Sequence, residues 1–259
     1  MPTPAFGGTH PPSYEQRCPL VLVIDTSPSM ACGSGECSPI AEVNAGLERF
    51  VAQVRANPTT AARLDVAVVR FDGDVTLHRP FNLLDEVPLE PLQLGGGCTD
   101  LVGGVTRALA LLAERKRWYD EVGLPRYRGY LLVVTDGAPT NSAEELAALR
   151  AQLADPASSK RQTAWAFGTT GGALHVLRDL FGAERVQGFA AQDFGDFFQW
   201  LSTSFERITA SREGEVVQLD RLAGGLRLLL FLDRGRLVAD GAAGADDQLP
   251  VAAADAPAV

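Results

Sequence analysis

Three short apolar runs, each followed by an aspartate, constrain the fold of this chain more than any other feature. Pro19 to Ile24 (PLVLVI) runs into Asp25, Leu64 to Phe71 (LDVAVVRF) into Asp72, and Gly129 to Thr135 (GYLLVVT) into Asp136. Runs this short with apolar residues at successive positions are buried on both faces, the signature of strands inside a parallel sheet. Between them lie helical patterns. Ser38 is a cap and Pro39 a first helical residue, and Ile40, Val43, Leu47, Phe50, Val51 and Val54 then recur at three- and four-residue steps until Asn57-Pro58.

The same alternation continues to about residue 212. Asp72-Gly73 and the alternating Val75 to Phe81 predict a hairpin, hence one antiparallel edge strand. Asp100 to Trp118 reads as a helix, with Arg115-Lys116-Arg117 as its solvated basic end. Ser142 and Glu145 predict a capping box. Gln162 to Phe167 and Arg185 to Gly188 are strand-like, with a brief helix near Ala173 to Leu180 between them. A long helix is expected from Asp193, with Phe194, Phe197, Leu201, Phe205 and Ile208 inward. Phe198 and Trp200 fall off that stripe, which predicts packing on a C-terminal extension or a partner. Strand and helix in alternation mean right-handed crossovers, so the expected fold class is α/β, a doubly wound, mostly parallel sheet flanked by helices. The expected division is a flexible segment over residues 1–16, a domain over 17–212, a small β extension over 213–239 and a disordered acidic tail over 240–259.

Composition closes off several functions. The formal charge is -9, and four of those negative charges sit in the segment from Ala239 to Val259, which has no Lys or Arg. That balance argues against nucleic-acid and anionic-membrane partners, both of which require clustered cations. No apolar run approaches the roughly 20 residues that span a bilayer. Met1 to Cys18 lacks the charged and apolar regions of a signal peptide, so a cytoplasmic location and reduced Cys18, Cys32, Cys37 and Cys98 are expected. His10, His78 and His175 form no metal-ligand spacing.

In a doubly wound sheet, ligands bind beyond the carboxyl ends of the strands, where strand order reverses. Three loops belong there: Asp25-Thr26-Ser27-Pro28-Ser29, Gly95-Gly96-Gly97-Cys98-Thr99-Asp100, and Thr135-Asp136-Gly137-Ala138-Pro139-Thr140. Their side chains are hard oxygen donors, suited to Mg²⁺, with Mn²⁺ or Ca²⁺ as alternatives. Ser27, Ser29 and Thr99 are the candidate direct ligands, and Asp25 and Asp136 would hold the ion through water. Taken singly, each of these residues would serve equally well as a helix cap or turn residue; Asp100 reads as the cap of its helix.

These motifs resemble the von Willebrand factor A (VWA) family. Asp25-Thr26-Ser27-Pro28-Ser29 matches its DxSxS signature, and Thr99 and Asp136 match its two other metal-ligand positions. Within the family the chain is most similar to bacterial tellurite-resistance proteins of the TerY type, through Pro39 to Asn44, Thr135 to Thr140 and Phe197 to Ser202. The resemblance implies a metal-ion-dependent adhesion site in a non-enzymatic binding module. A partner protein would supply an acidic residue to the metal, and the setting would be a stress-response or phosphosignalling system with a kinase and a phosphatase nearby. Two features depart from the pattern: Pro28 stands where Gly is common, and the loop from Ala31 to Ser38 is long. Two other readings compete. One is a metal-dependent phosphoesterase, which lacks a nucleophile–base pair and a phosphate loop. The other is a redox-responsive regulator, in which Cys32, Cys37 and Cys98 surround the cleft with Cys18 as a fourth thiol.

Overall fold

The computed structural model describes residues 14–31, 38–84, 86, 88–155, 162–169, 174–189, 194–211, 215–218 and 229–231. Strands β1 (Cys18–Asp25), β2 (Leu64–Phe71), β3 (Val75–Leu83), β4 (Gly129–Thr135), β5 (Gln162–Thr169) and β6 (Val186–Phe189) form a sheet of order β3-β2-β1-β4-β5-β6. All neighbours are parallel except β2 and β3. This is the doubly wound α/β sheet with one antiparallel edge strand. Pro80 is tolerated in β3 because an edge strand has one side free of ladder bonds.

Helices α1 (Pro39–Ala56) and α6 (Phe194–Ala210) cover one face of the sheet; α3 (Leu101–Val122), α4 (Ala143–Ala154) and α5 (Leu174–Phe181) cover the other. The apolar periodicity explains the first layer. Val43, Leu47, Phe50 and Val54 of α1 meet Leu20, Leu22 and Ile24 of β1 and Tyr130, Leu132 and Val134 of β4 in one cluster. The second face gathers Val21, Val23, Leu131 and Val133 with Val105, Leu109 and Leu112 of α3. Capping fixes the helix starts: the Ser38 hydroxyl accepts from Ala41 N, and Ser142 and Glu145 form the expected reciprocal box. A short helix α2 (Pro58–Arg63), capped by Asn57, is an element that the stop signal at Asn57-Pro58 hid.

Two expectations are corrected by packing. Phe198 and Trp200 are core residues of the α1–α6 layer. Phe198 packs across α1 at Gly46, where an added Cβ would stand 2.2 Å from its ring, so the two helices approach more closely than a side chain there would permit. Trp200 packs on Phe167 of β5. The aromatic stripe of α6 is therefore wider than a single apolar seam, because this helix is buried against both the sheet and a neighbouring helix.

The second correction concerns the basic cluster. Helix α3 runs on to Val122, so Arg115 lies inside it rather than at its end. Arg115 is buried and gives Asp65 of β2 two hydrogen bonds, at 2.7 Å from Nε and 2.6 Å from Nη2. Tyr119 donates to the same carboxylate oxygen at 2.5 Å. The guanidinium also lies 4.2 Å from the centroid of the Trp118 ring. Lys116, in contrast, is half exposed and pairs with Asp120 one turn on, at 2.7 Å.

The C-terminal β elements pair with each other. Strand β7 (Val216–Gln218) is antiparallel to β8 (Leu229–Phe231) in a separate two-stranded sheet, and Val217 is buried against the α1–α6 core. The expected start of α6 at Asp193, residues 219–228 and 232–239 of the expected β extension, residues 1–13 and the acidic tail lie outside the described residues. Among the described residues no helix is long and apolar enough to cross a membrane.

Candidate metal site at the carboxyl edge of the sheet

The strand order reverses between β1 and β4: the chain crosses to β2 on one side of β1 and returns to β4 on the other. Asp25 is the last residue of β1, and Asp136 follows the last residue of β4. The two carboxylates thus stand at the crevice where a fold of this topology binds ligands.

Asp25 is fully buried, and both of its carboxylate oxygens accept hydrogen bonds. Oδ1 accepts the Ser27 amide at 2.8 Å and Oδ2 accepts the Thr135 hydroxyl at 2.5 Å. The first bond turns the chain back over the strand end. A 3₁₀ turn over Pro28–Ala31 follows, with Met30 buried beneath it. Pro28 suits the first position of such a turn because its φ is already fixed. The turn brings Ser29 Oγ within 3.0 Å of Ser27 Oγ, and Ser29 Oγ donates to Asp136 Oδ1 at 2.7 Å. Ser27, Ser29 and Asp136 are therefore one connected group lying over Asp25.

Thr99 enters from the Gly-rich loop. Its backbone is clamped to Thr140: Thr99 N donates to Thr140 Oγ1 at 3.1 Å, and Thr140 N donates to Thr99 O at 3.0 Å. A Cβ placed on Gly137 would stand 3.5 Å from Ser29 Oγ and 3.8 Å from Thr99 Oγ1, so both hydroxyls border the same small space. Asp100 caps α3 by accepting from Gly103 N at 2.9 Å, and Asn141 Nδ2 donates to it at 2.8 Å. All five residues singled out in the sequence thus come to one edge.

Sequence reasoning missed Thr135, Thr140 and Asn141. A hydroxyl closing an otherwise apolar strand, directly before Asp136, was the available signal for Thr135. The roles of Thr140 and Asn141 depend on contacts across 41 residues and had no local mark.

Burial raises the Asp25 carboxyl above its ordinary range; the Ser27 and Thr135 hydrogen bonds oppose the shift, and the charge of Asp136 adds to it. Asp136 is raised as well, again through burial, with the Ser29 hydroxyl opposing. Among the described residues no Lys or Arg forms an ion pair with Asp25. Nor do the described residues contain a group of three His, Cys, Asp or Glu side chains able to hold a metal. Two mutually repelling carboxylates and three converging hydroxyls are a hard-oxygen donor set, which fits a small divalent cation.

Of the four thiols, Cys18 does not join the cleft. Cys18 is buried at the opposite end of β1 from Asp25, about 23 Å away along the strand. Burial, reinforced by Asp65, pushes its thiol well up. Cys98 is exposed beside Thr99, and Cys32 and Cys37 lie outside the described residues.

Comparison with known proteins agrees with this geometry. The model of the von Willebrand factor type A domain matches residues 20–138, which hold β1, the Gly-rich loop and β4. Residues 20–138 thus resemble a VWA domain, and the sheet has the VWA-type fold. Among solved structures, the pilus adhesin SpaC from Lactobacillus rhamnosus GG is 12% identical over 78% of this chain and 32% of its own, with a TM-score of 0.57. Proximal thread matrix protein 1 from the mussel byssus, solved with a zinc-occupied MIDAS motif, is 15% identical over 74% of this chain and 48% of its own, with a TM-score of 0.48. BatB from Bacteroides thetaiotaomicron is 14% identical over 75% of this chain and 100% of its own, with a TM-score of 0.47. The chain spans 48% of the byssus protein and 32% of the adhesin, so it corresponds to part of each. No curated protein matches the chain. VWA domains commonly bind protein partners through a divalent metal at such a site.

Proposed function

We propose that this VWA domain is a non-enzymatic, metal-dependent protein-binding module. The observation that carries the reading is the hydrogen-bonded run Ser27–Ser29–Asp136 above the buried Asp25. In this reading the Ser27, Ser29 and Thr99 hydroxyls hold the ion, while Asp25 and Asp136 act through water and as counter-charge. The cation, with Mg²⁺ the first choice and Mn²⁺ or Ca²⁺ the alternatives, supplies an electron-poor centre for an oxygen ligand. Neutral hydroxyls withdraw little of its charge, so an acidic side chain of a partner would complete the site. Asp25 orients the loop through the Ser27 amide, and Thr135 holds the second Asp25 oxygen in place.

The unit taken to carry this function is residues 17–212, with 213–239 an appended β element and 240–259 an acidic tail. The similarity of Pro39 to Asn44, Thr135 to Thr140 and Phe197 to Ser202 to TerY-type proteins supports a cytoplasmic scaffold or regulator in bacterial stress response, such as tellurite resistance, beside a kinase or phosphatase. The test is calorimetric titration of Mg²⁺ into the wild type and Asp25→Ala, with partner capture in the presence and absence of chelator. Binding of metal and partner is expected only in the wild type with metal present. A partner retained by both the chelated protein and Asp25→Ala would overturn the mechanism.

A further inference from the structure

Beyond the five residues proposed to hold the metal lies a third aspartate whose side-chain hydrogen bonds go to Thr26, Arg70 and Asp74 instead. Asp72 follows β2 and is almost completely buried, 3% exposed. Both of its carboxylate oxygens are occupied. Oδ2 accepts the Thr26 hydroxyl and one Arg70 nitrogen, each at 3.1 Å, and Oδ1 accepts Asp74 N at 2.9 Å. A carboxylate so engaged is not a free ligand. Its position is what matters.

Thr26 sits between Asp25 and Ser27 and is itself fully buried. Its amide and its hydroxyl both donate to Phe71 O, at 2.8 and 3.2 Å, so the DxSxS loop is tied to the end of β2. Its carbonyl accepts Gly95 N at 2.8 Å, which ties the same loop to the Gly-rich segment. The backbone carbonyl of Asp72 accepts Asp100 N at 2.9 Å, beside Thr99. Gly95 lies directly over the carboxylate: a Cβ there would fall 1.5 Å from Oδ2. Only a residue without a side chain leaves Asp72 where it is. One side chain therefore contacts the loop carrying Ser27 and Ser29, and through its own backbone and its fit beneath Gly95 it fixes the loop carrying Thr99.

We propose that Asp72 is the positioning residue of the metal site, holding the DxSxS loop and the Thr99 loop in register while Arg70 neutralises its charge. This rests on the metal reading above. Groups that orient metal ligands typically change metal affinity by about 10- to 100-fold when removed. The effect of Asp72 should therefore appear in metal affinity rather than in fold stability alone.

The experiment measures the Mg²⁺ dissociation constant by calorimetry, and the melting temperature in chelator, for the wild type, Asp72→Asn, Thr26→Val and the double variant. Asp72→Asn is expected to weaken Mg²⁺ binding by about 10- to 100-fold. Thr26→Val, which leaves Asp72 intact but removes its donor, is expected to weaken binding less. The loss in the double variant should be smaller than the two single losses combined, because both changes break the Thr26–Asp72 hydrogen bond. Wild-type affinity in Asp72→Asn would overturn the proposal whatever its melting temperature. If Asp72→Asn does not fold, Thr26→Val decides in its place: weakened binding supports the proposal and unchanged binding overturns it. A wild type that binds no Mg²⁺ removes the metal reading and this inference together; a wild type that binds while both variants bind equally well removes this inference alone.

Discussion

Two buried carboxylates stand at opposite ends of the sheet, and their surroundings differ in one respect. Asp65, at the amino end of β2, is held by the buried guanidinium of Arg115 and by the Tyr119 hydroxyl. Asp25, at the carboxyl end of β1, is held by one amide and one hydroxyl, with Asp136 close enough to raise it further. The first charge is compensated inside the fold. The second is oriented but not compensated. A protein that needs a buried carboxylate only for its architecture supplies the cation itself, since an uncompensated buried charge is costly. In the proposed reading, leaving Asp25 without one keeps that end of the sheet ready for an ion from solution.

The largest expected effect tests the compensated end. Arg115→Met leaves Asp65 buried without its cation, which should cost about 3–5 kcal/mol. In a domain of this size that lowers the melting temperature by roughly 10 °C, readable by calorimetry. Metal affinity at the far edge should change little by comparison. Asp25→Asn should do the reverse: the metal-free protein keeps or gains stability, and the rise in melting temperature on adding Mg²⁺ disappears. For a wild type at 100 times its dissociation constant that rise corresponds to about 2.7 kcal/mol. A large loss of metal-free stability in Asp25→Asn would erase the distinction between the two ends.

A smaller effect follows from pH. Asp25 and Asp136 both have raised carboxyls, so the folded, metal-free protein binds protons more readily than the unfolded chain. Their contribution to metal-free stability is present at low pH and is lost as pH rises from the ordinary carboxylate range through the raised one. Metal binding needs the ionised forms, so the stabilisation by Mg²⁺ should shrink as pH falls through the same window. Melting temperatures across that range, with and without Mg²⁺, should therefore have opposite slopes. The smallest effect separates neighbours. Lys116→Ala removes an exposed pair with Asp120 and should cost no more than about 0.5 kcal/mol by chemical denaturation, although it adjoins Arg115.

That last contrast also marks the reach of the sequence. The strands were legible because double burial leaves runs such as Leu20 to Ile24 with no polar alternative, and the caps at Ser38, Asp100 and Ser142 because capping is local. The convergence of the five candidate residues on one edge was legible because the doubly wound topology dictates which strand ends meet. Arg115 was not: its neighbours Lys116 and Arg117 give it the look of a solvated cluster, and only the approach of α3 to β2 reveals Asp65 beneath it. Phe198 was hidden in the same way, since its complement is the absence of a side chain at Gly46 on another helix. Asp72 looked like an ordinary turn residue, and its partners Thr26 and Gly95 belong to other loops.

The pairing of β1 with β4 has a kinetic consequence. Asp25 and the Thr135 hydroxyl that holds it are 110 residues apart, and the Ser29–Asp136 bond spans 107. Contacts of such separation must close a long loop before they return any stabilisation, so they tend to form late. A nascent or damaged chain that has made its helices and the local β2–β3 hairpin would still lack the oxygen cage. Ion capture would then report that the central strands have been laid down side by side, and a partner requiring the ion would engage only chains that had finished folding.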